Sequence, residues 1–448
     1  MILERKIYKE MLDWKINSKG QTALLIEGAR RVGKTKIATI FAQNEFDDYL
    51  LIDFSQVKNE VKDVFNDLVH LDDFFNTIFS FYNKKLKPGN TVIIFDEIQF
   101  FPRAREAIKF LVEDGRYYYI ETGSLISIKK NVKDILLPSE EERIKMYPLD
   151  FEEFLWAFGN KETYGILKND YDTLLTLPNN VAQIMTRKIR EYMIVGGMPQ
   201  AVIKYVETNS FLDAHRIKCS ILELYRSDLA KYDIEEDGHT SKLFESIPSQ
   251  LSSGGNSFKL SKAIKDKTHY DRYKTDWEFL NESMICNMIT NVTDPRPGLA
   301  LSEDNNTFKL YVGDIGLYFS MIFEKEKKQN ENLFKDFFFG KLPMNKGSLY
   351  ESLLAQIFVS NGHQPYYHIF TKQNAQTKTY YQIDFMFESG EKINIVEVKS
   401  SKRFTTSSLD LFVSKYKDVR FNSFVISPRV QTKKEKYTYI PVYYSFFL

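Results

Sequence analysis

The sequence predicts an α/β protein built from three regions. Up to about residue 170, short apolar runs alternate with helical patterns, which is typical of a parallel sheet covered by helices on both faces. Residues 171–330 are mainly helical, and residues 331–448 return to mixed α/β character. Polar stretches near 165–180 and 325–345 favour boundaries there. We therefore expect three domains, at 1–170, 171–330 and 331–448.

The composition is that of a globular protein with nearly balanced charge. The chain has 61 basic and 60 acidic residues, so any surface for nucleic acid must be a local patch. Two distant cysteines exclude a disulfide scaffold and a zinc ribbon. No apolar run approaches the roughly 18 residues of a membrane span, and the charged N-terminus is unlike a signal peptide. We expect a cytoplasmic protein without membrane contact.

Four apolar runs in the first region are typical of buried strands, and one pattern between them is typical of a helix. The strands are predicted at Thr22–Gly28, Tyr49–Ser55, Thr91–Ile98 and Arg116–Ser124, and the helix at Phe101–Gly115.

The most specific motif, G-x-x-x-x-G-K-[ST], follows the first of these strands and precedes a helical pattern. Its residues are Gly28, Ala29, Arg30, Arg31, Val32, Gly33, Lys34 and Thr35. Backbone N–H groups of such a loop wrap phosphates at a helix N-terminus. We expect Lys34 to contact the β- and γ-phosphates of ATP and Thr35 to bind Mg²⁺. The flanking strand and helix disfavour a chance glycine-rich turn.

A second motif, a pair of acidic residues after a predicted strand, completes the predicted nucleotide site. Four apolar residues place Asp96 at the carboxyl end of a buried strand, where open α/β sheets bind ligands. Asp96 would hold Mg²⁺, and Glu97 would polarise the attacking water. Taken alone, the pair could also be two solvated acids after a strand. Its position about 60 residues after the loop favours the catalytic interpretation.

Further residues are candidates for sensing or stabilising the γ-phosphate. Thr122 and Ser124 end a predicted strand and suit a γ-phosphate sensor, although a helix-capping turn explains them equally well. Arg143 is the first candidate for a catalytic arginine, with Arg226 second. A solvated surface role stays open for either arginine.

The third region contains a second acidic constellation. Asp384 lies in one predicted strand (380–388), and Glu397 and Lys399 share a face of the next (393–401). Glu351, in a predicted helix at 347–362, could add a carboxylate. Such a group can bind a divalent metal and position a water for phosphodiester cleavage. A solvated strand face is the alternative, but the apolar neighbours would bury these charges at a cost of roughly several kcal/mol.

Two segments are candidate nucleic-acid surfaces. Residues 397–436 contain ten Lys or Arg and four Asp or Glu, a local excess of six positive charges. Three predicted helices, at 241–253, 258–268 and 269–285, precede two strand-like runs at 288–294 and 308–314, which is the winged-helix plan. Its basic residues lie in or before the third helix: Lys265, Lys267, Arg272 and Lys274. A protein-binding module of the same shape is equally compatible.

The order of these motifs resembles a family of prokaryotic AAA-like (AAA_14-type) ATPases with a C-terminal DUF4143-type region. The matching stretches are GARRVGKT, IIFDEIQ, ETGS, RIKMYPLDFEEF, VGGMPQAV, FKLYVGDIGLY and IDF…IVEVKSS. The resemblance implies an N-terminal P-loop ATPase, a winged-helix-like middle and a PD-(D/E)xK nuclease-like end with Asp384, Glu397 and Lys399. The chain departs from the family pattern at Glu142, where a glycine is usual, and at Gln382, where a glutamate is frequent.

The sequence therefore supports three hypotheses of function. The first is an ATPase that couples Mg²⁺–ATP hydrolysis to conformational change and acts with DNA or RNA. The second is a metal-dependent nuclease gated by that ATPase. The third is a signalling switch that binds protein only. A homo-oligomer is compatible with each, because AAA-like sites are often completed by a neighbouring subunit.

Overall fold

The computed structural model describes residues 1–448 except 67, 125–137, 174–176, 237, 265–272, 325–330, 345, 374–377, 402, 429–431 and 434–435. The described chain divides into two compact units. The first comprises Ile2–Tyr147 with Glu282–Met284, and the second comprises Pro148–Asn281 and Ile285–Leu448 with Met1. Within the described ranges, no helix has both the length and the apolar character needed to cross a membrane.

The first unit is a five-stranded sheet with helices. Its strands are β1 (Ala23–Glu27), β2 (Asp48–Asp53), β3 (Thr91–Asp96), β4 (Tyr118–Gly123) and β5 (Glu141–Lys145), and its helices are α1 (Ile7–Ser18), α2 (Lys34–Glu45), α3 (Asn59–Asp63), α4 (Leu71–Phe81) and α5 (Pro102–Asp114). The strand order is β2-β3-β4-β1-β5, and every pairing is parallel. The carboxyl ends of all five strands therefore lie at one edge, where ligands bind in such sheets.

The buried strands of this sheet are the ones that the sequence predicted. β1, β3 and β4 are almost fully buried, as expected for strands covered on both faces. The edge strand β5 was missed, because its sequence EERIK is charged and half exposed. Charged residues on an edge strand oppose pairing with a further strand, so this pattern is ordinary for an edge. One face of the sheet packs against α4 and α5 through a core rich in phenylalanine, which includes Phe54, Phe65 and Phe95.

The second unit combines helices with an eight-stranded mixed sheet. Its helices are α6 (Phe151–Ala157), α7 (Lys161–Asp172), α8 (Asn179–Val195), α9 (Pro199–Thr208), α10 (Phe211–Glu236), α11 (Thr240–Ser252), α12 (Leu260–Ala263), α13 (Lys274–Glu282), α14 (Ile315–Phe323), α15 (Glu331–Phe338), α16 (Gly347–Ser360) and α17 (Ser407–Lys415). Its strands are β6 (Cys286–Val292), β7 (Glu303–Val312), β8 (Tyr366–Gln373), β9 (Lys378–Ser389), β10 (Lys392–Val398), β11 (Phe421–Ile426), β12 (Thr432–Lys433) and β13 (Thr438–Ile440). The order is β12-β13-β11-β10-β9-β8-β6-β7.

The predicted winged-helix segment is only partly reproduced. Three helices, α11 to α13, precede an antiparallel pair, β6 and β7, as the sequence indicated. This pair does not form a separate wing. β6 also pairs with β8 at Thr290 and Asn291, so both strands belong to the sheet that continues to β13. Lys265, Lys267 and Arg272 lie outside the described residues, and Lys274 pairs with Glu278 at 3.7 Å.

Three glycines allow a close backbone crossing in the second unit. A Cβ atom on Gly197 would lie 2.1 Å from the carbonyl oxygen of Leu149, and one on Gly316 would lie 2.5 Å from Cα of Gly196. Asp314 caps α14 by accepting from the N–H of Leu317 at 2.8 Å, and it also accepts from the N–H of Gly197 at 2.6 Å. The VGGMPQAV and VGDIGLY stretches are therefore explained by packing.

Candidate functional site

The glycine-rich loop joins the carboxyl end of β1 to the first turn of α2. Gly33 has φ of 102° and Arg31 has φ of 72°, so the loop turns through left-handed backbone at two positions. Gly28 has no room for a side chain, because a Cβ atom would lie 2.4 Å from the carbonyl oxygen of Met146. The loop thus begins in contact with the residue that follows β5, and it ends at a helix N-terminus.

Lys34 is buried inside this loop. Its Nζ donates hydrogen bonds to the carbonyl oxygens of Gly28 at 2.9 Å and Ala29 at 3.0 Å. Burial lowers the pKa of Lys34 to about 8, and the nearby carboxylates of Glu97 and Asp96 oppose that shift. A buried ammonium whose hydrogen-bond acceptors in the described part of the chain are two carbonyls is well placed to gain from a bound anion.

Asp96 is the centre of a hydrogen-bond network at the end of β3. Thr35 Oγ1 donates to Asp96 Oδ1 at 2.8 Å, and Thr122 Oγ1 donates to the same oxygen. Burial raises the pKa of Asp96, and the two hydroxyl hydrogen bonds counteract that effect. The loop, the tip of β3 and the tip of β4 are thus joined through one carboxylate. Thr122, predicted as a γ-phosphate sensor, contacts the predicted metal ligand Asp96.

Glu97 follows directly in a left-handed conformation, with φ of 53°. Its backbone N–H donates to Thr122 Oγ1 at 3.3 Å, and its carboxylate accepts from Gln99 Nε2. The sequence analysis did not identify Gln99 as a site residue. Its position at the end of the IIFDEIQ stretch was the signal that could have indicated it.

Arg5 is a second residue that sequence reasoning missed. It donates from Nη1 to the carbonyl oxygen of Val32 at 3.0 Å and from Nη2 to that of Tyr147 at 2.6 Å. It thereby fixes the backbone of the glycine-rich loop relative to the segment after β5. No motif links Arg5 to positions 27 and 142 residues away, so the sequence offered no signal for this contact.

The other predicted residues lie in different surroundings. Ser124 is buried just after β4, and Arg30 and Arg31 lie in the loop. Arg143 is on β5 opposite Leu25, and its Nε bonds Glu141 at 2.7 Å. Arg226 lies on α10 in the second unit, where it pairs with Glu245 and Glu324. A catalytic role for Arg143 stays a prediction.

A buried charge cluster lies within the sheet of the first unit. Arg105 on α5 forms two hydrogen bonds with Glu141, at 2.6 and 2.7 Å. Glu121 on β4 is fully buried, and within the described ranges no hydrogen-bond donor reaches its carboxyl oxygens, which lie against the carboxyl group of Glu141. Burial, followed by repulsion from Glu141, raises the pKa of Glu121 well above its usual value. Glu121 therefore holds its proton more tightly in the folded protein than in the unfolded chain.

In the second unit, four charged residues of the predicted metal site interact electrostatically: Glu351, Asp384, Glu397 and Lys399. Their hydrogen bonds and ion pairs are as follows. Glu351 accepts from Lys309 Nζ at 3.1 Å and Tyr311 OH at 3.0 Å. Asp384 accepts from the N–H of Val398 at 2.8 Å. Glu397 pairs with Lys399 at 2.6 Å.

Burial raises the pKa of two carboxyl groups in this cluster, those of Asp384 and Glu397. Burial, then repulsion from Glu351, raises the pKa of Asp384. Burial, then repulsion from Asp384, raises the pKa of Glu397 to about 8. In the part of the chain that the structure describes, no group of three or more His, Cys, Asp or Glu is arranged to hold a metal ion. Metal binding by Glu351, Asp384 and Glu397 therefore stays a prediction.

Comparison with protein families supports the nucleotide-site part of the interpretation. Residues 20–155 match the family AAA_14, described as an AAA domain. This match confirms the P-loop, AAA_14-type part of the predicted resemblance. Residues 186–328 match DUF8612, a domain of unknown function. That family differs from the DUF4143 region that the resemblance implied, and neither match supports a PD-(D/E)xK nuclease.

Two solved structures are among those that match this chain. A Walker-type ATPase of Pyrococcus abyssi matches at 16% identity and a TM-score of 0.40, over 72% of this chain and 96% of that one. A signal transduction ATPase with numerous domains (STAND), with a tetratricopeptide repeat sensor, from Pyrococcus horikoshii matches at 12% identity and a TM-score of 0.24. That match covers 79% of this chain and 48% of the other. No curated protein matches the sequence. The family match shows that residues 20–155 are similar to AAA domains.

Proposed function

We propose that this protein binds and hydrolyses Mg²⁺–ATP in the first unit. The observation that carries the proposal is the hydrogen-bonded connection from Thr35 through Asp96 to Thr122, with the Lys34 ammonium buried beside it. These groups come from the loop and from two neighbouring strand tips. Their chemistry matches the parts that P-loop enzymes use to hold phosphates and magnesium.

The residues present fit ATP and magnesium. Among the described residues, the buried Lys34 ammonium has the carbonyls of Gly28 and Ala29 as hydrogen-bond acceptors, and phosphate oxygens are stronger partners. Thr35 and Asp96 supply the hydroxyl and carboxylate oxygens that magnesium prefers. Magnesium, when bound, neutralises negative charge on the β- and γ-phosphates.

The catalytic step depends on Glu97. Its carboxylate accepts a proton from water as the water oxygen bonds to the γ-phosphorus. The bond from that phosphorus to the β–γ bridging oxygen breaks, ADP leaves, and Lys34 stabilises negative charge on the phosphate oxygens. Thr122 accepts from the Glu97 backbone N–H and donates to Asp96, so it positions both acids. The bond between Gln99 and Glu97 holds the base in place before water is bound.

Steady-state hydrolysis by the Glu97→Gln variant tests the proposal. Glutamine cannot accept the proton, so we expect kcat to fall by about 10²–10⁴ while ATP affinity changes little. Glu113→Gln, an exposed acid at the end of α5, is the matched control and should keep wild-type activity. Unchanged kcat in Glu97→Gln would refute the assigned role of Glu97.

We further propose that this activity is coupled to the binding of DNA or RNA. Basic residues between 397 and 436 support it, and a protein-only switch is the alternative. Fluorescence-anisotropy titration with single- and double-stranded DNA and RNA at low and moderate salt distinguishes them. Binding that weakens steeply with salt supports nucleic acid. Absence of binding at both salt concentrations supports the protein-only switch.

Cleavage of nucleic acid is a second candidate, favoured by the interaction of Asp384, Glu397 and Lys399 in one cluster. Incubation of the wild-type protein and of Asp384→Asn with Mg²⁺ or Mn²⁺ and plasmid DNA tests it. Cleavage that Asp384→Asn abolishes supports a nuclease, and intact plasmid with either metal rejects it.

A further inference from the structure

A cavity of about 590 Å³ in the second unit has strongly basic walls. Arg187, Arg190, Lys346 and Lys399 line it, and no acidic residue is among its lining residues. The cations converge from three places in the chain: α8, the start of α16 and the end of β10. A volume of this size is typical of a small-molecule site.

Three of these four cations lack a carboxylate partner among the residues that the structure describes. Lys399 pairs with Glu397. The guanidinium of Arg187 lies over the ring of Phe339, with Cζ 5.9 Å from the ring centroid. Arg190 donates from Nη1 to the carbonyl oxygen of Phe338 at 3.3 Å, and its buried Nε–H has no acceptor in the described ranges. A buried donor without an acceptor costs free energy, which a bound ligand oxygen would recover.

The cations also repel one another. Burial, followed by repulsion from Arg190, lowers the pKa of Lys346. Gly340 leaves room for the Arg190 guanidinium, because a Cβ atom at this position would lie 2.7 Å from Arg190 Nη1. An anion between these side chains would relieve the repulsion and provide the missing acceptor.

Part of the remaining wall is apolar or aromatic, beside polar residues such as Asn179 and Gln183. Phe339, Tyr350, Tyr443, Val442 and Ile426 line the same cavity. Such a surface would bury an organic group, so an inorganic anion alone would leave part of the cavity unused.

We propose that this cavity binds a small phosphate monoester, with the phosphate at Arg187, Arg190 and Lys346 and the organic group against the aromatic wall. The proposal is independent of the nucleotide site, because every residue that carries it lies in the second unit.

Isothermal titration of the full-length protein with phenyl phosphate and with inorganic phosphate tests the site. The Lys34→Ala variant is used as the background, so that phosphate binding by the glycine-rich loop does not contribute. We expect one saturable site, with phenyl phosphate binding about tenfold more tightly because its ring adds apolar burial. If Lys34→Ala is unstable, the wild-type protein replaces it, and the binding that is lost with the cavity substitutions below identifies the site.

Substitutions in this background locate the binding. Arg187→Gln and Lys346→Gln should each weaken phenyl phosphate binding by about tenfold, because each removes a charge-assisted contact. Lys335→Gln, an exposed lysine on α15 outside the cavity, is the control and should bind normally. Absence of saturable binding, equal affinity for the two probes, or binding that both cavity substitutions leave unchanged would overturn the proposal.

Discussion

Buried carboxyl groups determine the electrostatics of the first unit at the scale of single residues. Asp96 is stabilised by hydroxyl donors from Thr35 and Thr122, whereas Glu121 has no donor among the described residues. Burial raises the pKa of both acids, and hydrogen bonds make the difference between them. Two hydroxyl donors favour the charged form of Asp96, whereas no such donor counteracts the raised pKa of Glu121.

Glu121 should make stability depend on pH. Its folded-state pKa is raised, so its contribution to stability is full below the unfolded pKa of about 4.5 and is lost as pH rises towards the folded value. Glu121→Gln cannot ionise. Its free energy of unfolding, relative to wild type, should therefore increase between pH 5 and pH 8, by at most about 1.4 kcal/mol per pH unit.

Urea denaturation of both proteins at pH 5 and pH 8 measures this difference. Glu113→Gln, which changes an exposed acid, should show the same difference from wild type at both pH values. A Glu121→Gln effect that is also equal at both pH values would contradict a raised pKa of the buried Glu121.

Single-residue assignments show where sequence reasoning succeeds and where it stops. Lys34, Thr35 and Asp96 could be identified because two motifs specify them by spacing. The hydrogen bonds from Thr122 to Asp96 and from Arg5 to Val32 could not be predicted, because they join distant parts of the chain without a repeated pattern.

At the scale of elements, strand type decided which predictions succeeded. β3 and β4 are buried apolar runs, and their positions were predicted within two residues. β5 was missed because its charged sequence lacks the apolar pattern of a buried strand. The β6–β7 pair was predicted, but its membership in the eight-stranded sheet depends on the pairing of β6 with β8, which local patterns do not encode.

Close contact between elements makes Gly197 a sensitive position. Gly197→Ala would place a methyl group 2.1 Å from the carbonyl oxygen of Leu149, so the backbone must move. We expect a loss of about 1–3 kcal/mol or more in the free energy of unfolding. Gly165→Ala, in α7 with open space around its Cβ position, should instead be neutral or stabilising by about 0.5–1 kcal/mol.

Urea unfolding monitored by tryptophan fluorescence compares the two glycine variants. Both substitutions add one methyl group to a glycine, so a difference in stability between the two variants reports the packing around each position. Equal stability of Gly197→Ala and Gly165→Ala would contradict the close crossing at Gly197.

At the scale of the whole molecule, the predicted α/β class combines two sheets, and each unit has its own candidate site. The parallel sheet of the first unit positions the candidate ATP site at its carboxyl edge. The second unit contains the basic cavity and the acidic cluster of Asp384 and Glu397. The two candidate binding sites are therefore built from separate units, and substitutions can test each one by itself.

Titration calorimetry of Mg²⁺–ATP with the wild-type protein and with Lys34→Ala tests the central claim most directly. We predict one saturable site in the wild type and an affinity about 10–100-fold lower in the variant, because a charge-assisted contact with the phosphates is lost. Equal affinity of the two proteins, or no binding of ATP by the wild type, would contradict a nucleotide site formed by residues 28–35 and Asp96.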